Sequence, residues 1–138
     1  ASEEETKALE AMGQATAGII QKFNDFYKLS NGLATKYAPK NFSAECDGVR
    51  AREKDLNAFS AEFNTEFAKI RTEISALMTQ FESSYRIAVK SKSATARSRA
   101  VAQALELLNP LQAANGTVLE ISKEMVSVAA QLSALNCK

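Results

Sequence analysis

The chain has 138 residues, a formal net charge of +1, and 46% hydrophobic against 24% charged residues. That is an ordinary composition for one globular domain with a real core. It excludes a whole-molecule field directed at nucleic acid or membrane, so any electrostatic function must be local, and no apolar run approaches the roughly 18 residues of a membrane span.

The five Gly and two Pro are unevenly spread, and between Gly48 and Gly116 only Pro110 interrupts about sixty residues. Ala, Glu, Lys and Leu are frequent, and all favour helix. The chain opens on Ala1 rather than Met, which fits a trimmed precursor or a recombinant segment equally well.

The first predicted helix runs from about Ser2 to Lys36. Ser2 can cap it, and Glu3, Glu4 and Glu5 suit the positive end of its dipole. Leu9, Met12, Ala15, Ile19, Phe23, Phe26 and Leu33 recur at helical spacing. Gly13 and Gly18 weaken the pattern, and "SNG" (30–32) is expected to fray or break its last turns. Pro39 then stops the helix, because it disfavours helical geometry in the residue before it.

The second helix is expected over roughly Ser43 to Lys90. Leu56, Phe59, Phe63, Phe67, Ile70, Ile74, Leu77, Phe81, Tyr85 and Ala88 form its apolar stripe, with Glu62, Glu66, Lys69 and Arg71 among the residues opposite. The third is expected over about Ala94 to Asn136, its face marked by Val101, Leu105, Leu108, Leu111, Val118, Ile121, Met125, Val128, Leu132 and Leu135. Between Ala100 and Asn136 its only charges are Glu106, Glu120, Lys123 and Glu124, so it should be the most covered helix. Pro110 predicts a kink, or a full break before Thr117 that would give four helices. The reading is all-α: a single domain, residues 1–138, built as an elongated antiparallel bundle of three long helices.

The only two cysteines are Cys46 and Cys137. If helices two and three form an antiparallel hairpin turning near residues 91–94, residue 46 lies opposite residue 137. Bonded, the pair closes a loop of about ninety residues and stabilises the fold by on the order of 4 kcal/mol. The alternative is two free, buried thiols. A bond implies an oxidising compartment. The sequons "NFS" and "NGT" make Asn41 and Asn115 candidate glycosylation sites, and together these signals favour a secreted or extracellular protein.

The stretch "KSKSATARSR" (90–99) is the most basic in the chain. The first helix should start level with about residue 77, leaving the hairpin tip to project beyond it. Arg86, Lys90, Lys92, Arg97 and Arg99 would then stand beside partly uncovered Tyr85, Ile87, Val89 and Val101. Such a surface suits an anionic partner: lipid headgroups, sulfated glycan or an acidic protein face. The plainer alternative is a solvated hairpin tip. Ser93 is a candidate helix cap there.

Catalytic chemistry is hard to find. There is no His, the commonest general base and metal ligand. Bonded cysteines offer neither a thiolate nor a zinc site. "GQATAG" (13–18) lies in a helical pattern rather than after a strand, so it is no phosphate loop. No aromatic follows Tyr85, so the basic stretch has no stacking platform for nucleic acid. The expectation is a non-enzyme without metal or cofactor. The leading reading is a secreted protein that contacts a receptor, matrix or host molecule. The runner-up is a carrier of a fatty acid or similar lipid, with Phe59, Phe63, Phe67, Leu105, Leu108 and Leu111 as its lining. Self-association through the apolar third helix is compatible with both.

Overall fold

A computed structural model describes residues 2–40, 43–107 and 116–137. Among these the chain is all-α, with four helices packed in bundle fashion: α1 Glu3–Lys36, α2 Cys46–Ala88, α3 Ala94–Glu106 and α4 Gly116–Ala134. They group into two compact units. One comprises Ala1–Phe26 and Ala68–Ala114, the other Tyr27–Phe67 and Asn115–Lys138. Among the described residues, the span predicted for the third helix holds two helices, α3 and α4. Pro110 itself lies outside the described residues.

A reciprocal capping box starts α1. Ser2 Oγ accepts from Glu5 N and Glu5 Oε2 accepts from Ser2 N, each at 3.2 Å. Its predicted stripe, from Leu9 to Phe26 and on to Leu33, is buried throughout. The "SNG" stretch does not break the helix. Leu33 is buried one turn beyond Gly32, and Thr35 Oγ1 donates to Asn31 O at 3.0 Å. Packing of the last turns outweighs the roughly 1 kcal/mol that a helical glycine costs.

In the first unit the buried residues include Met12, Ile19 and Phe23 of α1, Phe81 and Ala88 of α2, and Ala96 and Ala100 of α3. Gly18 lets α1 and α2 approach: a Cβ there would stand 3.1 Å from Leu77 Cδ1. Nearby, Lys22 pairs with Glu73. In the second unit Val49 and Leu56 of α2 form a cluster with Val128 and Leu132 of α4, and Ile121, Met125 and Cys137 pack against it.

Two further sequence expectations are overturned. The start of α1 does not face residue 77. Ser91, in the turn after α2, donates its hydroxyl to Glu5 at 2.8 Å, so no hairpin tip projects beyond α1. The error lay in placing a tight turn near residue 40. Within the second unit, Lys36 at the end of α1 meets Glu62 rather than the first turn of α2. The helical rise from Cys46 to Glu62 is about 24 Å, so the end of α1 lies well along α2 rather than at its start.

Nor is the predicted third helix the most covered. Val101 and Leu105 of α3, Leu119 and Val126 of α4, and Leu135 are all exposed. Once the helix is interrupted, its two parts need not share one apolar phase. In α3 the side facing the core carries the small residues Ala96 and Ala100.

Candidate functional site

The corner where α2 passes into α3 lies wholly in the first unit. Ser91, one of the serines that separate the cations there, is 4% exposed and organises the turn. Its amide donates to Ala88 O at 3.2 Å, and its hydroxyl oxygen accepts from Ser93 N at 3.0 Å. Ser93 in turn caps α3, its Oγ accepting from Ala96 N at 3.3 Å. Arg97 folds back and donates through Nη1 to Ser91 O at 2.7 Å. This fixes one cation of the basic stretch by a backbone carbonyl rather than by an acid.

The five candidate cations have different surroundings. Arg86 lies 3.8 Å from Glu82, both well exposed. Lys90, Lys92 and Arg99 are exposed. Arg99 stands on a cleft of about 510 Å³ between α1 and α3, which Glu10 and Leu9 also line. Arg97 lies on a separate groove of about 540 Å³ between the end of α2 and α3, with Val89, Val101 and Leu105. Glu5 is held below the usual carboxylate range, chiefly by the Ser91 hydroxyl, with the Ser2 amide and the charge of Lys92 assisting. Glu5 is the corner residue that sequence reasoning missed. Its capping role was legible, but its long-range partner depends on how α1 lies against α2.

The described residues of the candidate lipid lining fall in both compact units. Phe59, Phe63 and Phe67 form a stacked row, with ring centroids 5.9 and 5.3 Å apart, and Phe59 is buried. They belong to the second unit, whereas Leu105 belongs to the first and is exposed. Leu108 and Leu111 lie outside the described residues, as do both sequon asparagines, Asn41 and Asn115.

Cys46 and Cys137 are bonded, with Cα atoms 5.6 Å apart. A Schellman motif aims Cys137 at its partner. Asn136 takes a left-handed conformation (φ 53°), its amide donates to Ser133 O, and the Cys137 amide donates to Leu132 O, both at 3.1 Å. A second arrangement went unforeseen in the sequence. Arg52 is buried and donates to both carboxylate oxygens of Glu124, at 2.6 and 2.7 Å, while Nη1 donates to Tyr37 O. It ties α2 to α4 and to the chain leaving α1. No signal marked it, because a charged residue at helical spacing reads as solvent-facing.

Among the described residues, no group of three His, Cys, Asp or Glu side chains is placed to hold a metal ion, and no helix is long and apolar enough to cross a membrane. Comparison with protein-family models, with curated proteins and with solved structures returned no match.

Proposed function

We propose that this is a secreted, non-enzymatic binding protein whose α2–α3 corner contacts an anionic partner. The observation that carries the reading is the corner's charge. Arg86, Lys90, Lys92, Arg97 and Arg99 fall between Glu82 and Glu106 with no acid among them, and Arg97 is held in place by Ser91 O. Cations near +1 overall neutrality act as a local patch. The bonded cysteines support an extracellular address, because such bonds persist in oxidising compartments.

Retention on immobilised heparin, a general polyanion, tests the corner. The protein is expected to bind at physiological ionic strength and to elute with added salt. Reversing two charges, Arg97→Glu with Arg99→Glu, should abolish retention. Equal retention of the two proteins removes the corner from the reading.

The lipid-carrier reading has narrower support. The α1–α3 cleft of about 510 Å³ is large enough for a small ligand, and Leu9 and Ala96 give it an apolar part. It differs from the lining expected from the Phe-rich stripe, so a displaceable fluorescent fatty acid should respond to Leu9→Trp and not to Phe63→Leu.

A further inference from the structure

We propose that the outward side of α3 seats this corner on a bilayer rich in anionic phospholipid. The inference rests on the reading that the corner is a contact surface, and it names the partner's chemistry.

The side chains of α3 are arranged inside out. Its buried residues are Ala96 and Ala100. At 3.6 residues per turn, Ala94, Ser98, Val101, Ala102 and Leu105 share the opposite side. All five are exposed, with Val101 at 43% and Leu105 at 58%. The two largest apolar side chains therefore point away from the core, while alanines fill it. The same helical geometry puts Arg97 on one flank of this strip and Arg99 on the other.

An apolar strip bordered by cations is what a helix needs to lie in a headgroup interface: the strip enters the acyl boundary and the cations meet phosphate. One acid shares the strip's border: exposed Glu106 stands on the Arg99 flank at the last residue of α3, so the cationic part of the border is its N-terminal part, and the other nearby acids are turned elsewhere. Glu5 is tied to Ser91, Glu10 lines the cleft on the α1 side of α3, and Glu82 stands beside Arg86. A soluble polyanion would use the cations and leave Val101 and Leu105 in water. A carrier would enclose a single fatty acid, whereas the groove that Val101 and Leu105 line with Val89 and Arg97 leaves both side chains exposed. A bilayer surface uses the strip and the cations together.

The chain contains no Trp, so Ser98→Trp places a single indole in the strip. With vesicles of phosphatidylcholine containing about one-third phosphatidylserine, its emission should shift to the blue. Pure phosphatidylcholine should bind at least tenfold more weakly, since each cation near an anionic surface strengthens partitioning about fivefold. Val101→Ser with Leu105→Ser should weaken binding to the anionic vesicles about tenfold and leave heparin retention unchanged. Both residues are exposed, so the core is untouched, and circular dichroism checks the fold. No blue shift, or undiminished vesicle binding by the double Ser variant, overturns the inference while heparin retention keeps the corner as an anion site. Wild-type protein held by neither vesicles nor heparin overturns both.

Discussion

Arg52 shows how much one side chain can set in this protein. Among the described residues it is the one charged side chain that is buried, and its guanidinium joins Glu124 and the Tyr37 carbonyl. The Arg52 hydrogen bonds hold the Glu124 carboxyl below its ordinary value of 4.5, against the opposing effect of burial. A folded-state value below the unfolded one stabilises the fold above about pH 4.5, and that contribution is lost as pH falls through the folded value. Glu124→Gln should therefore destabilise the protein at pH 7 by about 2 kcal/mol, between the cost of breaking a buried pair and that of an exposed one. The gap should narrow as pH falls below 4.5, because the unfolded chain's carboxyl takes up its proton before the folded one does. Urea unfolding of both proteins at pH 7 and pH 3 measures this, and a constant gap would show that the ion pair is not its source. Glu124 was visible in the sequence as one of few charges on an apolar helix. Its partner was not, since pairing across 72 residues depends on the rotation of α2 about its axis.

Helix ends divide into those set locally and those set by distant contacts. Ser2 with Glu5 and Ser93 with Ala96 are local caps, legible because N-cap chemistry needs only a side chain three residues from an amide. The end of α4 is different. Asn136 occupies the left-handed position usually taken by glycine, and it turns the chain so that Cys137 meets Cys46. Asn136→Gly should retain or slightly raise thermal stability. Asn136→Val should lower it by about 1–2 kcal/mol, because a branched side chain is disfavoured there. Scanning calorimetry of the two variants separates them, and equal transitions would deny the cap a role. The burial of α1 followed its sequence stripe closely, since Leu9 to Leu33 repeat on one phase. The stripe drawn through α3 and α4 held in α4, where Val128 and Leu132 are buried with Ile121 and Met125 packed beside them, and failed in α3, where Val101 and Leu105 came out exposed.

For the protein as a whole, the bonded cysteines are where the fold bears on the proposed compartment. They enclose a sequence separation of 91 residues, so reduction should lower stability by about 4 kcal/mol on the chain-entropy estimate. Material made through a secretory route should titrate no free thiol when unfolded without reductant, and glycosidase treatment should remove mass from Asn41 and Asn115. Two reactive thiols, or no mass change, would withdraw that compartment from the proposal. Helical class, the four-helix alternative and the nearness of Cys46 to Cys137 could be read from residue order alone, because period, breakers and a hairpin count are local or additive along the chain. The meeting of Glu5 with Ser91, the Arg52–Glu124 pair and the outward turn of Val101 and Leu105 could not. Each depends on the register and rotation of one helix against another, and many side chains settle these jointly through close packing.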